Sequence, residues 1–417
     1  MRGTATELIG LGVLAISAAL VAQQQQIPQL PAPTQARPNP GSVVPKPAGA
    51  QLKAPDGFTV GTYAENVPQA RLMVWAPNGD LFVSQPRANS ISVFRDTNKD
   101  GVPEERSVFV QGAPIPGRGA PPLAASGGQL NQPFGLAFQN GYLYVGNTNS
   151  VARYKYTSGD TKAQGQPEKL ADLPGDGNHP FRDVLFSRDG RKMYVSVGSS
   201  NNIDESGSGN ERRATIHEYN PDGTGFRLFA TGIRNPSVLT WQPVTNTLWT
   251  AVNERDNLGD ELVPDYATSV KDGGFYGWPY SYFGTHVDTR VPNQRPELVA
   301  KAIVPDIQLP AHSAALGLTF YTGTQFPQRY RNGLFVALHG SWNRSTTAGV
   351  KVIFVPFANN RPSGPPEDFL TGFVVDPAAN SKWGRPVGVT VAPDGSLLVS
   401  SDDGSQGIFR IRYTGAR

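Results

Sequence analysis

The chain has 417 residues with 46 Gly, 37 Pro and no Cys, and only 17% of its residues are charged. The formal net charge of +3 is small and no segment concentrates Lys and Arg, which excludes the electrostatic footprint of a nucleic-acid-binding protein. The absence of Cys excludes disulfides, catalytic thiols and Cys-ligated metals. A chain rich in Gly and Pro without sustained helical periodicity indicates an all-β protein.

The first 22 residues have the features of an export signal. Arg2 supplies a positive start, Leu8–Leu20 is an apolar run, and small residues up to Ala22 provide a cleavage site. The sequence therefore predicts an exported protein, periplasmic or secreted, with membrane association only if this segment is retained as an anchor. Residues 23–50 are rich in Gln and Pro and are predicted to be an extended, disordered tether. Residues 51–417 are then the folded domain.

A short phrase recurs six times along the folded domain: an apolar strand, a tight turn and a second apolar strand. The turns lie 62, 49, 56, 87 and 62 residues apart. Asn-Gly and Asp-Gly favour the positive backbone dihedrals of hairpin turns, and the flanking residues alternate with a period of two. Such a repeat is typical of β-propeller blades and predicts a six-bladed β-propeller. The six turns are Asn78-Gly79, Asn140-Gly141, Asp189-Gly190, Thr245-Asn246, Asn332-Gly333 and Asp394-Gly395.

One hairpin loop in the first repeat has the spacing of a calcium-binding loop. Oxygen-bearing side chains stand at positions 1, 3, 5 and 9, and Gly101 stands at position 6. Calcium takes six to eight oxygen ligands, and the Gly permits the chain to wrap sharply around the ion. The alternative is a solvated hairpin without metal. The predicted ligands of this structural site are Asp96, Asn98, Asp100 and Glu104.

Polar residues stand at the predicted entrance to the innermost strand of every blade. Counting back ten or eleven residues from each inner turn, with the turn at Tyr321-Thr322-Gly323 used for the fifth blade, gives one position per blade, and all six are polar. Because a propeller gathers its strand ends around one channel, these side chains are expected to meet at one mouth. The alternative is that residues before strands are generally polar. The six positions are Gln69, Asn131, His179, Asn235, Ser313 and Arg385.

The kinds of side chain at these positions indicate an anionic ligand. Arg234-Asn235-Pro236 and Arg385-Pro386 each place an Arg close to a Pro, which restricts the local backbone. Two guanidiniums and the imidazole of His179 around one channel would repel one another unless an anionic group lay between them. Arg binds carboxylates through paired donors. The sequence thus predicts a small planar or polyanionic ligand, with His179 available as a proton acceptor.

Four segments of the chain, taken together, resemble one known family. Gly177-Asn178-His179, Gly232–Pro236, Tyr276–Pro279 and Gly384–Val389 are similar to segments of the pyrroloquinoline-quinone-dependent glucose/sorbosone dehydrogenases, and the resemblance covers about residues 52 to 415. It implies a six-bladed, usually exported propeller. It further implies oxidation of a small sugar or sugar aldehyde, the cofactors pyrroloquinoline quinone (PQQ) and calcium, and an external electron acceptor, either a quinone or a cytochrome.

The resemblance also implies roles for individual residues. His179 matches the residue that takes the proton from the sugar hydroxyl, and Arg385 matches an Arg that binds a cofactor carboxylate. His339 and Arg344 are candidates to replace the family's Lys contact. With the strand-entrance positions included, the predicted cofactor-binding residues are Asn131, Gln132, Arg234, Asn235, Ser313 and Arg385. The calcium loop of the family corresponds to a stretch that departs from the Gly-Pro sequence of its best-known members, and the predicted ligands there are Glu254, Arg255 and Asp256.

Two other functions stay open at this point. A calcium-dependent propeller lactonase needs acidic residues at the strand entrances, and the six counted positions contain none. A non-catalytic propeller that binds carbohydrate or a protein partner needs only the fold. The chain has no Gly-rich strand-turn-helix fingerprint for a dinucleotide. The favoured prediction is therefore a PQQ-dependent sugar dehydrogenase.

Overall fold

The computed structural model describes residues 27–116, 127–204 and 211–415. The predicted signal peptide, residues 1–22, lies outside the described residues. Within the described ranges, helix is confined to Pro296–Val299 and a 3-10 turn at Gln328–Tyr330, and the other regular structure is β-strand. The all-β prediction is confirmed. No helix in this part of the chain is long and apolar enough to cross a membrane.

The strands form six main sheets, which we number along the described chain. Two strands precede them, β1 (Ser42–Val43) and β2 (Phe58–Glu65), and both pair with strands from the end of the chain. Sheet 1 contains β3 (Met73–Trp75), β4 (Leu81–Gln85), β5 (Ser90–Arg95) and β6 (Glu105–Gln111). Sheet 2 contains β7 (Pro133–Gln139), β8 (Tyr142–Asn147), β9 (Ser150–Lys155) and β10 (Gln164–Asp172).

Sheets 3 and 4 follow, with the longest connection of the described chain between the third and fourth strands of sheet 4. Sheet 3 contains β11 (Val184–Phe186), β12 (Met193–Val197), β13 (Thr215–Tyr219) and β14 (Arg227–Thr231). Sheet 4 begins with β15 (Pro236–Trp241), β16 (Leu248–Val252) and β17 (Pro264–Ser269). The connection begins with β18 (Gly274–Phe275), which pairs parallel with β14. It continues with a two-stranded ribbon of β19 (Ser281–Tyr282) and β20 (His286–Val287) and with helix α1 (Pro296–Val299). It ends at β21 (Ile307–Ala311), which completes sheet 4.

Sheets 5 and 6 complete the chain. Sheet 5 contains β22 (Ala315–Phe320), β23 (Leu334–Leu338) and β24 (Lys351–Val355), then a ribbon of β25 (Phe357–Ala358) and β26 (Arg361–Pro362), and its last strand β27 (Glu367–Leu370). A small hairpin follows, β28 (Val374–Asp376) and β29 (Ser381–Lys382), and β1 pairs with β29. Sheet 6 contains β30 (Gly384–Val391), β31 (Leu397–Gly404) and β32 (Gly407–Tyr413), with β2 as its outer strand.

The first strands of the six sheets form a ring. Each of β3, β7, β11, β15, β22 and β30 contacts the next, and β30 contacts β3. A cavity of about 150 Å³ lies between residues of all six strands. All six predicted turns join the first strand of a sheet to its second, and Asn246 and Asn332 adopt φ of 57° and 58° there. Asn tolerates this left-handed region better than most residues with a Cβ. The arrangement is that of a β-propeller.

Hydrophobic clusters fill the space between neighbouring sheets. In β23, Leu334 and Val336 pack towards sheet 4, whereas Phe335 and Ala337 pack towards sheet 6. The same division recurs around the ring, so each adjacent pair of sheets shares one cluster. Because both faces are covered, the second strands β4, β12, β16 and β23 are buried throughout and their sequences are mostly apolar.

Residues 27–50, which we call the N-terminal strap, differ from the predicted disordered tether. The backbone N–H of Thr34 donates to the Leu258 carbonyl, and that of Asn39 donates to the Trp342 carbonyl at 2.7 Å. The Asn39 side chain donates to the carbonyls of Ser345 and Ala378. A Pro-rich chain is already extended and loses little entropy on docking, so a few such bonds hold it against the sheets.

Candidate active site

A cavity of about 340 Å³ lies at the entrance end of the ring, and we call it the axial cavity. Residues that precede or begin each of the six first strands line it, which follows from the radial arrangement of the sheets. Its volume falls within the range of small-molecule sites. The polar lining consists of Gln69, Arg71, Arg87, Gln132, Asn178, His179, Asn235, His339, Arg385 and Asp402.

The counted strand-entrance positions divide into two groups. Gln69, His179, Asn235 and Arg385 line the axial cavity, together with Gln132. Asn131 lies in the wall of a different cavity, and its backbone N–H donates to Asn147 Oδ1. Ser313 is fully buried and its hydroxyl donates to Asp265 Oδ2 at 3.1 Å, while its neighbour Ala314 lines the axial cavity. Counting ten or eleven residues back from a hairpin turn finds the segment that borders the cavity, but it does not show which side chain of that segment faces inward.

His179 presents one free ring nitrogen. Its Nδ1 lies 2.8 Å from the Ser199 carbonyl oxygen and 3.0 Å from Ser199 Oγ. A carbonyl oxygen only accepts, so Nδ1 carries the hydrogen and Nε2 keeps its lone pair. Burial and the nearby Arg234 guanidinium lower the pKa of His179 to about 3, and the imidazole is therefore neutral near pH 7. The buried Arg182 fixes this loop by donating to the His179 carbonyl at 2.8 Å.

Arg234 is buried behind the axial cavity and does not line it. Its Nη1 donates to the carbonyls of Asn253 at 3.0 Å and Glu254 at 2.6 Å, and its other nitrogens donate to Asn202. Burial lowers the pKa of Arg234. The neighbouring Asn235 does line the cavity, and its Oδ1 is enclosed without a hydrogen-bond partner. Arg234 therefore shapes the wall and Asn235 offers an acceptor to a ligand.

The predicted calcium loop after β16 commits several of its oxygens to protein donors. The main-chain oxygens of Asn253 and Glu254 accept from Arg234, so a guanidinium already holds them. Asp256 Oδ1 lies 3.1 Å from His312 Nδ1. Arg255 is fully buried between Glu254 and Asp288, and a guanidinium cannot act as a metal ligand. Glu254 Oε1 is enclosed without a hydrogen-bond partner, so the loop keeps one carboxylate oxygen for a cation, and calcium binding there stays a prediction.

Arg385 lines the cavity while it anchors the neighbouring sheet. Its Nε donates to the His339 carbonyl at 3.0 Å and its Nη2 to the Gly340 carbonyl at 3.1 Å. Its nearest carboxylate contact is Asp403 Oδ2, at 3.5 Å from Nη1. Burial lowers the pKa of Arg385, although Asp402 and Asp403 oppose this. A carboxylate ligand would give the guanidinium the close counter-charge that it lacks.

A charged cluster on the same wall was largely missed by the sequence reasoning. His339 Nε2 lies 2.7 Å from Asp402 Oδ1, and Arg71 Nη2 lies 2.8 Å from Asp402 Oδ2. The sequence indicates His339 only as a substitute for a Lys contact, and it singles out neither Arg71 nor Asp402. Asp402 is a carboxylate at a buried position of β31, where Leu398 to Ser401 are otherwise apolar or hydroxyl-bearing. A charge inside such a strand is the signal that could have identified it.

Three observations indicate that the axial cavity fits an anionic ligand that also carries hydrogen-bond donors. Arg71, Arg87 and Arg385 all line it. The acceptors Gln69 Oε1 and Asn235 Oδ1 are enclosed without partners in the described structure, and buried polar atoms are normally satisfied. Asp402 is the one carboxylate among its described lining residues, and it is engaged by Arg71. The positive charges of the three Arg side chains thus outnumber the single carboxylate available to neutralise them.

The hairpin between β5 and β6 forms the predicted loop. Ligand oxygens of Asp96, Asp100 and Glu104 lie within 4.8 Å of one another. Asp96 Oδ2 accepts from the Gly101 N–H, whereas Asp96 Oδ1 is enclosed without a partner. Asn98 Oδ1 accepts from the Asp100 N–H. The loop is remote in sequence from the axial-cavity residues and docks on sheet 6 through Arg410.

These features define a class: an all-β protein of propeller type with a cationic small-molecule cavity at the strand entrances. The TrAA12-like family model matches residues 52–272 and 291–414, and the chain belongs to the TrAA12-like family. The matched residues include every strand of the six main sheets. The short strands β18 and β19 and most of the connection around them fall in or beside the unmatched stretch.

Relatives extend the comparison. An uncharacterised protein of Borreliella burgdorferi is 27% identical over 376 residues, which cover 87% of this chain and 91% of that protein. The pyrroloquinoline quinone-dependent pyranose dehydrogenase of Coprinopsis cinerea is 34% identical over 130 residues, which cover 27% of this chain and only 17% of that protein. The predicted resemblance to PQQ-dependent sugar dehydrogenases is confirmed.

Solved structures share the fold. The holo PQQ domain of Coprinopsis cinerea pyranose dehydrogenase superposes with a TM-score of 0.68 at 21% identity, covering 88% of this chain and 98% of that one. The calcium structure of the Trichoderma reesei carbohydrate-active enzyme of family AA12 superposes with a TM-score of 0.71 at 18% identity, covering 90% and 99%.

Proposed function

We propose that this protein is a PQQ-dependent oxidoreductase that oxidises a sugar or sugar aldehyde. The axial cavity carries the proposal, because three guanidiniums, two unpartnered acceptor oxygens and two neutral imidazoles meet there. The cofactor and substrate class come from the names of the pyranose dehydrogenase relatives.

The proposed architecture is a six-bladed β-propeller in which each main sheet is one blade. The ring of first strands and the shared cluster at each sheet–sheet boundary support it. In this reading β2 closes the last blade. Export through residues 1–22 and an external quinone or cytochrome as electron acceptor are further parts of the proposal.

The residues that would hold PQQ are those that line the axial cavity. Arg385, Arg71 and Arg87 would bind carboxylates, and Asn235 and Gln69 would accept from ring donors. When bound, the quinone supplies the acceptor for the hydride of the carbon being oxidised. Arg234, Ser313 and Asn131 would act indirectly, because their polar atoms hold neighbouring backbone and side chains.

A neutral imidazole of the cavity would accept the hydroxyl proton of the substrate. His179, the base predicted from the sequence, has an unprotonated Nε2, and His339 is the other imidazole of the lining. A positioned general base contributes about 10²- to 10⁴-fold to the rate.

Calcium is proposed at the Asp96–Glu104 hairpin, where unpartnered Asp96 Oδ1 fits an additional cation. We expect millimolar calcium to raise the melting temperature of the wild-type protein, since a ligand that binds only the folded state stabilises it. Asp100→Asn should remove most of this shift. The matched control is Asp222→Asn in another exposed turn, and this variant should keep the calcium-induced rise in melting temperature. Equal shifts in all three proteins, measured by differential scanning fluorimetry, would count against a hairpin site.

The test of function is titration of purified protein with PQQ, followed by dye-linked assays on a panel of aldoses and sugar aldehydes. We expect a saturable absorbance change and dye reduction that depends on both PQQ and sugar. Nicotinamide cofactors, as the control, should not support the reaction. Absence of PQQ binding would favour the non-catalytic carbohydrate- or protein-binding propeller, and lactone hydrolysis without PQQ would favour the calcium-dependent lactonase.

A further inference from the structure

His339 and Asp402 form a rigidly held pair on the wall of the axial cavity. The pair lies where the end of β23 meets β31, with 2.7 Å between His339 Nε2 and Asp402 Oδ1. The backbone N–H of His339 donates to the Ala314 carbonyl at 2.9 Å, and its carbonyl accepts from Arg385. Both main-chain groups and one ring nitrogen are thus fixed, so the imidazole is pre-positioned.

The tautomer of His339 follows from its partner. An ionised carboxylate only accepts, so Nε2 donates its hydrogen to Asp402 and Nδ1 keeps its lone pair. Nδ1 has no hydrogen-bond partner among the described residues, and it is not among the enclosed unpartnered atoms. It is therefore accessible from the cavity that His339 lines.

The two cavity imidazoles differ in what would stabilise them once protonated. His179 hydrogen-bonds to the neutral groups of Ser199, and the nearby charge with the largest effect on its pKa is Arg234, which lowers it, while Asp256 raises it. His339 contacts a carboxylate directly, and Arg71 binds the other oxygen of that carboxylate. A carboxylate behind an imidazole both fixes the tautomer and stabilises the imidazolium that forms during proton transfer.

We infer that His339, backed by Asp402, is the proton acceptor of the oxidation, and that His179 binds or orients a ligand group. This inference rests on the proposed function. The substrate O–H bond breaks and its proton goes to His339 Nδ1. When bound, PQQ would supply the acceptor for the hydride of the adjacent C–H bond, and a C=O bond would form in the substrate. The substrate loses two electrons, and the positive charge gained by His339 is balanced by Asp402.

The charges around His339 set its pH dependence. Burial and Arg385 lower the pKa of His339 to about 4, and Asp402 opposes them. Burial would raise the pKa of Asp402, but His339 and Arg71 outweigh it and the pKa is lowered. Proton transfer to His339 is thus favoured above about pH 4, where the ring is neutral. The groups that face it from neighbouring elements are Asp402, Asp403, Arg71 and Arg385, with His179 and Arg87 elsewhere in the cavity lining.

The kinetic test compares His339→Gln with His179→Gln, with His286→Gln outside the cavity as control. We expect His339→Gln to lower kcat by about 10²- to 10⁴-fold with the PQQ dissociation constant changed less than about threefold. His179→Gln should lower kcat by less than about tenfold. The reverse ranking in active protein would overturn the inference, whereas a wild-type protein that neither binds PQQ nor oxidises sugar would contradict the proposed function itself.

A readout on the cofactor-free protein separates a proton acceptor from a merely structural pair. Nitrogen-15 NMR of the histidine rings should show His339 protonated on Nε2 with a free Nδ1, and His179 protonated on Nδ1. Asp402→Asn should lower the pH at which His339 becomes protonated, because the carboxylate stabilises the imidazolium. In active enzyme the same variant should lower kcat by more than about tenfold while the KM stays within about threefold. A His339 protonated on Nδ1, or an Asp402→Asn variant with wild-type titration, would refute the assignment.

Discussion

Arg385 shows how one side chain can serve both the fold and a ligand. Its guanidinium donates to two main-chain oxygens beyond β23, and the same group lines the axial cavity. The nearest carboxylate oxygen is 3.5 Å away, so the charge is incompletely compensated within the protein. Such a residue is expected to gain more from an anionic ligand than an Arg already in a close ion pair, such as Arg71 with Asp402.

We predict that Arg385→Ala weakens PQQ binding by about 10- to 100-fold, the worth of a charge-assisted hydrogen bond. Equilibrium titration of the cofactor-free protein measures it. Arg361→Ala, at an exposed position outside the cavity, is the control and should bind like wild type. An unchanged dissociation constant in Arg385→Ala would mean that the cofactor carboxylates lie elsewhere.

His217 is a second residue whose protonation is controlled by burial, and it lies within sheet 3, away from the axial cavity. Its Nε2 donates to the Arg212 carbonyl at 2.8 Å and its Nδ1 accepts from the Tyr219 hydroxyl at 3.1 Å. Burial lowers the pKa of His217 to about 3. The unfolded chain, with a His pKa near 6.5, binds more protons between these values, so stability falls as pH falls from about 6.5 towards 3.

We predict that His217→Gln reduces the loss of unfolding free energy between pH 7 and 4.5 by about 2 to 3 kcal/mol. Below pH 6.5 the neutral buried imidazole costs about 1.4 kcal/mol per pH unit, and the interval down to pH 4.5 is about two units. Urea unfolding at a series of pH values measures it. His286→Gln, at the molecular surface, should follow the wild-type curve. A variant that loses stability with pH as steeply as wild type would show that His217 is not the acid-sensitive group.

Among the elements, the N-terminal strap connects the chain terminus to the rim of the axial cavity. Asn39 bonds to the loop after β23 at Trp342 and Ser345, and also to the β28–β29 hairpin. Trp342 lines the cavity and is 51% exposed. The strap therefore restrains a loop at the rim of the axial cavity.

We predict that Asn39→Ala raises the KM for the sugar by about three- to tenfold and leaves kcat nearly unchanged, because it removes the side-chain hydrogen bond to Ser345 of the rim loop, worth about 1 kcal/mol. Steady-state assays with saturating PQQ measure both constants. Gln35→Ala, an exposed strap residue, should behave like wild type. If Asn39→Ala left the KM unaltered, the strap would have no part in forming the rim.

For the whole molecule, the decisive contact is the pairing of the two ends of the chain. Strand β2 pairs with β32 from Phe58 opposite Tyr413 to Glu65 opposite Gly407. Phe58 packs edge-on against Phe326, Tyr330, Phe369 and Tyr413. Sheet 6 thus has its outer strand only when β2 is paired with β32.

We predict that protein beginning at Leu52 unfolds in one cooperative transition, whereas protein beginning at Pro68 does not fold cooperatively. The first lacks residues 1–51, which include the strap with β1, and the second also lacks β2 and the fully buried Val67. Calorimetry and near-ultraviolet circular dichroism compare the two. A native-like transition in the shorter protein would show that the closure is dispensable.

The sequence alone determined the class of fold, because that depends on local patterns. Turn residues such as Asn332 and the period-two apolar strands act over a few neighbours, and the six turns join first and second strands as predicted. His179, Asn235 and Arg385 were found because each precedes a strand that starts at a fixed distance from its turn.

Only the tertiary structure decided which polar groups face one another. The sequence predicts that Ser313 and Arg234 touch a ligand. In the structure their side chains point away from the axial cavity, so Ser313 donates to Asp265 and Arg234 donates to main-chain oxygens. His339 and Asp402 are 63 residues apart, and nothing local links them before sheets 5 and 6 pack together. Strand order and turn spacing are short-range properties of a chain, whereas the pairing of charges depends on where distant strands meet.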